Sequence, residues 1–208
     1  MSSPRLVLAT HNEHKVKELR QILLASGLIP GLTPQDIVGA RGFGVPEPVE
    51  DGVTFAANAL IKARALAAAT GLPALADDSG LAVDVLGGAP GIFSARWAGA
   101  HGNDQANLDL LLAQLSDIAT EHRAARFVCA AALVTPDGQE FVQEGTLEGT
   151  LLFAPRGAGG FGYDPILAPL GQDRSCAELS ADEKNAISHR GNAFRLIAPY
   201  VSQVLQSV

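Results

Sequence analysis

The short apolar run Arg5-Leu-Val-Leu-Ala-Thr10 passes through a polar turn into a segment with Val16, Leu19, Ile22 and Leu23 at helical spacing and Gly27 as its stop. A strand that feeds directly into a helix is the opening of an α/β fold. The rest of the chain keeps that rhythm. Residues 30–52 read as a Pro- and Gly-rich loop with one strand near Ile37. A helix is predicted from Thr54 to Thr70, closed by Gly71. Leu72–Ala76 and Leu81–Leu86 read as two strands separated by the polar break Asp77-Asp78-Ser79-Gly80. A third helix is predicted over about 104–119, with Asn103 as its cap. A long strand follows at Arg126–Val134, then a Pro136-Asp137-Gly138 turn, a return strand through Phe141 and Val142, and a further strand near Gly149–Phe153. Ser180 and Glu183 have capping-box spacing, and Pro199 is expected to kink or interrupt the last helix.

The 208 residues are 47% hydrophobic and 18% charged, enough to bury a sizeable core in one domain over 1–208 without a separable linker. The net charge of −7, with no basic run, argues against a nucleic-acid polymer as partner. A small polyanion is a different case, because a few placed cations can hold it. No apolar stretch reaches membrane-spanning length and the N-terminus has no signal-peptide layout, so a reduced, cytoplasmic protein is expected. Cys129 reads as a core residue, Cys176 lies in a polar stretch, and nothing suggests a disulfide framework.

Five segments carry chemistry. Thr10-His11-Asn12-Glu13-His14-Lys15 lies between strand and helix, where free N–H groups and the helix dipole favour an anion. A lysine there works against the dipole, which points to a ligand, although an ordinary surface lysine has the same sequence. Glu47, Glu50 and Asp51 precede Asn58 and Lys62, which are four apart and share a helix face. Asp77-Asp78-Ser79 puts two adjacent carboxylates after an apolar strand, costly unless a cation meets them. A hard Mg²⁺ suits such oxygens, while an Asx-turn would also use them. Gly159-Gly-Phe161-Gly162-Tyr163-Asp164 places an aromatic among glycines, either as a stacking platform for a base or as a bend with Phe161 in the core. Lys184 and Ser188-His189-Arg190 bring hydrogen-bond donors to a helix start. His11 and His14 lack a third ligand for zinc.

Taken together, in this order, these segments resemble the inosine/xanthosine triphosphate pyrophosphatase family. The match includes Glu50-Asp-Gly-Val-Thr-Phe55, Ala57-Asn-Ala59 with Lys62-Ala63, Ala76–Ser94, Gly159–Pro165 and Ser188–Gly191, and it spans nearly the whole chain. The resemblance implies a long mixed sheet flanked by helices, two lobes with an active-site cleft between them, and a homodimer. It implies Mg²⁺-dependent cleavage of ITP, dITP and XTP to the monophosphate and pyrophosphate. Position by position, Thr10, His11, Asn12, Glu13, His14 and Lys15 would cradle the triphosphate. Glu50 and Asp78, with Asp77 beside them, would serve the metal. Asp78 would also activate water, and Lys62 would offset phosphate charge. Ser79 would contact the nucleotide. Phe161, Gly162, Tyr163, Asp164, Lys184, His189 and Arg190 would form the base pocket. His11 and His14 stand where glycine is common in the family, and Trp97 where Tyr is common. Two other readings are a relative that prefers pyrimidine nucleotides and a catalytically silent nucleotide sensor. The donor-rich pocket speaks against the first, and the retained carboxylates and lysines against the second.

Overall fold

In the computed structural model, residues 4–11 and 13–206 are described, and of His14 the backbone alone. Asn12 and the side chain of His14, both expected at the phosphate, therefore lie outside the described residues. The strands are β1 (Leu6–Leu8), β2 (Ile37–Gly39), β3 (Ala74–Val83), β4 (Ala124–Val134), β5 (Glu140–Leu151) and β6 (Leu167–Pro169). The α-helices are α1 (Glu13–Ala25), α2 (Phe55–Thr70), α3 (Asp104–Gln114), α4 (Ala181–Ile187) and α5 (His189–Gln206). One mixed, six-stranded sheet has the order β2-β1-β3-β4-β5-β6. β1 runs parallel to both β2 and β3, whereas β5 and β6 are antiparallel.

By its contacts the chain divides into two compact units. The first comprises Met1–Asp78, Cys129–Gly145 and Arg190–Val208. Its core follows from the two-residue period of a strand. Leu6, Leu8, Leu75, Cys129, Ala131 and Leu133 pack with Val16, Leu19 and Leu23 of α1 and with Phe194, Ile197 and Val201 of α5. The residues between them, Val7, Ala74, Ala76, Ala130 and Ala132, pack with Ala59, Ala63 and Leu66 of α2. Strands buried on both faces read as continuous apolar runs rather than as alternation, as these do. Pro199 sits inside α5, yet the helix continues through it. The proline is exposed, where water can take up the carbonyl it leaves without an amide partner. Among the described residues no helix is long and apolar enough to cross a membrane.

The second unit comprises Ser79–Val128 and Thr146–His189. Leu108, Leu111 and Leu115 close on Leu81, Val83, Phe127, Leu147 and Leu151. Cys176, in a polar stretch of sequence, is buried with them, and burial pushes its thiol up to about 12. Arg123 is 1% exposed, lies over the Phe153 ring at 4.2 Å from its centroid, and bonds backbone carbonyls. Its Nε donates to Leu151 O (2.8 Å), Nη1 to Leu115 O (2.6 Å) and Nη2 to Leu152 O (2.8 Å). The planar fork thus ties the end of α3 to the end of β5. Arg123→Lys keeps the charge but not the fork, and we expect a loss of about 2 kcal/mol by urea denaturation. Unchanged stability would mean that these bonds contribute nothing net.

Several elements differ from the sequence reading, which placed no strand at β6. The break at Asp77–Gly80 is absent, and β3 runs unbroken from Ala74 to Val83. The return strand and the strand expected near Gly149–Phe153 are one strand, β5. The third helix ends at Gln114 rather than near Ala119. In each case tertiary partners override local polarity. The capping box is present as expected, with Ser180 N–H donating to Glu183 Oε2 (2.8 Å) and Glu183 N–H to Ser180 Oγ (3.3 Å).

Candidate functional site

In the first unit, β3 is the reason two consecutive carboxylates can be kept apart. Successive strand residues face opposite ways, so Asp77 and Asp78 meet different partners. Asp78 Oδ2 accepts a hydrogen bond from Asn58 Nδ2 at 3.1 Å, and its Oδ1 lies 3.6 Å from Lys62 Nζ. Lys62 also lies 3.2 Å from Glu50 Oε1. Asn58 and Lys62 are one turn apart on α2, the shared face expected from their spacing. Asn58 Oδ1 accepts the Gly52 N–H at 2.8 Å, which fixes the loop that carries Glu50. A Cβ on Gly52 would come within 2.6 Å of that same oxygen, so the loop needs glycine there.

Asp77 is 5% exposed and turned the other way. Its Oδ2 accepts a bond from Arg190 Nε at 3.2 Å and lies 4.0 Å from Lys15 Nζ. Arg190, 4% exposed, also donates from Nη1 to Glu18 Oε1 at 3.2 Å. Two expectations change here. Asp77 was expected beside the metal, but its carboxylate is taken up by two cations. Arg190 was expected at the edge of the base, but its guanidinium is buried between Asp77 and Glu18, because a buried carboxylate demands a buried counter-charge.

The environments drive the two aspartates in opposite directions. Burial would raise Asp77, but Lys15, Arg190 and Lys62 outweigh it and hold the carboxyl far below the usual carboxylate range. For Asp78 burial wins, helped by Glu50, and its pKa rises despite Lys62 and Asn58. Burial would lower Lys62, but Asp78, Asp77 and Glu50 carry it above its ordinary value. A pair of like groups whose pKa values are pushed apart is the usual arrangement where one must exchange a proton and the other must stay charged.

The strand-to-helix segment of this unit supplies Lys15, with a side chain 35% exposed. His11 Nδ1 lies 3.4 Å from Glu47 Oε1, and Glu13 Oε1 lies 3.9 Å from Arg41 Nε. The Thr10 carbonyl accepts the Ala40 N–H at 3.3 Å. Thr10, His11, Glu47 and Lys62 line one recess.

Among the described residues no group of three or more His, Cys, Asp or Glu side chains is gathered as a metal site. A Mg²⁺ ion needs fewer, since it is commonly held by one or two carboxylates with water and substrate phosphates completing its shell. Glu50 and Asp78 fit that description. They are hard oxygen donors either side of one ammonium, and Glu50 raises the Asp78 pKa, a repulsion that a divalent cation relieves.

The second unit holds the glycine-rich loop. Phe161 is 60% exposed, which removes the reading that tucks it into the core. Its N–H donates to Asp164 Oδ2 at 2.8 Å, and the same carboxylate pairs with Lys184. The Lys184 ammonium stands 5.3 Å from the Phe161 ring centroid. Gly160 has φ +72°, and a Cβ on it would strike the Asp164 carboxylate. Tyr163 and Asp164 were expected to line the base pocket, but at 5% and 3% exposed they lie beneath the loop. The Gly162 N–H donates to Asp104 at the start of α3 (3.0 Å). His189 is half-buried and stacks on Phe127, with ring centroids 5.0 Å apart. Ser79 is half-buried and follows Asp78 in β3.

The sequence reading singled out neither Glu18 nor Asp104. Glu18 stands three residues after Lys15 and so shares its helix face, a signal that was available. Asp104 had none, because its partner is 58 residues away in the chain.

A family model described as the Ham1 family matches residues 6–200. A protein named dITP/XTP pyrophosphatase from Streptomyces coelicolor is 66% identical over 202 residues, covering 97% of this chain and 98% of its own. One of the same name from Corynebacterium efficiens is 54% identical, covering 96% and 98%. Among solved structures, a HAM1 protein from Coxiella burnetii superposes with a TM-score of 0.86 at 38% identity, covering 97% of this chain and 100% of that one. A nucleoside-triphosphatase / dITP/XTP pyrophosphatase from Mycobacterium abscessus gives 0.78 at 49% identity, covering 95% and 99%.

Proposed function

The chain belongs to the Ham1 family, and from that premise we propose that it hydrolyses ITP, dITP and XTP to the monophosphate and pyrophosphate, with Mg²⁺. The observation that carries this reading is the divergent pair on β3: Asp78 faces Lys62, which also meets Glu50, and Asp77 faces Lys15 and Arg190. Cleavage between the α- and β-phosphates requires a water that loses its proton as it attacks. Asp78, the carboxylate 3.6 Å from Lys62 and hydrogen-bonded by Asn58, is the group proposed to take that proton. Lys62 and Lys15 offset charge on the phosphates. Glu50 and Asp78 would hold the divalent ion, which when bound would supply charge neutralisation and acidify a water. Asp77 keeps Lys15 and Arg190 in place rather than binding metal. Thr10, His11, Asn12, Glu13 and His14 supply the phosphate cradle, and Ser79 contacts the nucleotide.

Phe161 offers an exposed ring for stacking on a purine. Lys184 has three donors, of which Asp164 occupies one, so donors remain for the 6-oxo group of hypoxanthine or xanthine. Adenine carries an amino donor at that position and would oppose donor to donor. We place His189 at the same edge, where a ring nitrogen adds to the selection. We propose that the whole chain, 1–208, acts as one catalytic domain of two lobes. We place it in the cytoplasm as a homodimer acting on free nucleotides.

The test is product analysis with purified protein. ITP should give IMP and pyrophosphate in one step, activity should vanish with EDTA and return with Mg²⁺, and ATP should be cleaved about 10²-fold less efficiently. Stepwise orthophosphate release with IDP accumulating would reject this reaction. Binding of ITP without turnover would instead favour a nucleotide sensor.

A further inference from the structure

The glycine-rich loop of the second unit presents one exposed ring and holds the residues beside it. Tyr163 turns inward and donates its hydroxyl to the Ser94 carbonyl at 2.8 Å. Ser94 is itself 7% exposed. Its hydroxyl accepts the Leu81 N–H at 2.9 Å and donates to the Gly91 carbonyl at 2.6 Å. A continuous chain of buried bonds therefore runs from β3 at Leu81, through Ser94, to a residue two places beyond Phe161.

Packing alone does not call for a phenol at 163. The ring belongs to the buried cluster that includes Leu81, Leu167 and Cys176, and a buried hydroxyl costs free energy unless it is bonded. What the hydroxyl adds is a donated bond to one fixed acceptor, the Ser94 carbonyl. It ties the loop to the helical turn Gly91–Arg96, which Ser94 Oγ in turn ties to β3 at Leu81. Other holds on the loop include Asp164 on the Phe161 N–H, Asp104 at the start of α3 on the Gly162 N–H, the Ala177 carbonyl on the Gly159 N–H (3.0 Å) and the Tyr163 carbonyl on the Ile166 N–H (3.1 Å). They do not reach β3.

We propose that Tyr163 is a positioning residue for the stacking face of Phe161, acting through its hydroxyl bond to Ser94. This rests on the reading of Phe161 as the base platform. Tyr163 itself touches no substrate. Its hydroxyl then affects nucleotides through their base and leaves the phosphate end alone.

Tyr163→Phe isolates the bond, because the ring stays. The KM for ITP should rise about 3–10-fold, the effect of one lost hydrogen bond, with kcat within about twofold of the parent. The inhibition constant of inorganic triphosphate, which has no base, should be unchanged. In a Phe161→Ala background the Tyr163→Phe change should have no further effect on KM, since two residues acting through one contact are not additive. Additive effects, or equal weakening of ITP and inorganic triphosphate, would overturn the proposal. If the parent failed to cleave ITP, the proposed reaction would fall, and amide exchange would still decide this point. Faster exchange at Phe161 and Gly162 in Tyr163→Phe would support the positioning role, and unchanged exchange would reject it.

Discussion

Asp78→Asn should fold normally and lose at least about 10²-fold in pyrophosphate release, because it removes the group proposed to take the proton from water. The substitution is nearly isosteric, and the side-chain amide can still meet Asn58. What disappears is the basic oxygen near Lys62. Stability should move in the opposite direction from activity. The Asp78 pKa is raised in the folded state, so the folded protein disfavours its ionised form relative to the unfolded chain. Such a group supports the fold below its unfolded pKa of about 4 and withdraws that support as pH rises through the folded value. At neutral pH the parent carries this unfavourable charge and the asparagine variant does not. Asp78→Asn should therefore melt no lower than the parent at neutral pH, with the difference disappearing in acid. Measuring kcat and Tm together separates a lost base from a lost fold. Turnover near that of the parent would move the base to Glu50 or Asp77.

The second large effect concerns stability. Asp77→Asn should cost about 3 kcal/mol, because it leaves the buried Arg190 with Glu18 as its remaining carboxylate partner. Here the sign is reversed. The Asp77 pKa is depressed by Lys15, Arg190 and Lys62 against its burial. Its contribution is complete above the unfolded value of about 4 and is lost as pH falls through the folded one. The gap between parent and variant in urea denaturation should be full at neutral pH and shrink in acid. A combined Asp77→Leu, Arg190→Met variant, which removes both charges together, should recover part of the loss. A single Asp77→Asn variant as stable as the parent would show that Arg190 does not depend on this partner.

These two aspartates also show how far residues can be read without coordinates. Their adjacency after an apolar run was enough to demand cations. Sequence polarity, however, read them as a break between two strands. They are inside β3, and the cost is met by Lys15 and Arg190 on one side and Lys62 and Asn58 on the other. Of these partners, Arg190 is 113 residues away in the chain. The same blindness to distant partners split β5 in two and left Asp104 unnoticed.

Periodicity and punctuation determined the elements themselves. The apolar runs became strands, Thr54 caps α2 by accepting the Ala57 N–H, and Ser180 and Glu183 form their box, because those signals act within one or two turns of chain. The order of the motifs was also enough to identify the family. What only the tertiary structure decided is which charge meets which: that Arg190 faces Asp77 and Glu18, that Tyr163 reaches Ser94, and that Phe161 is left exposed above Asp164 and Lys184. A side chain's residue type sets the bonds it can make. Burial and the direction it faces set the bonds it does make, and both depend on segments far away in the chain.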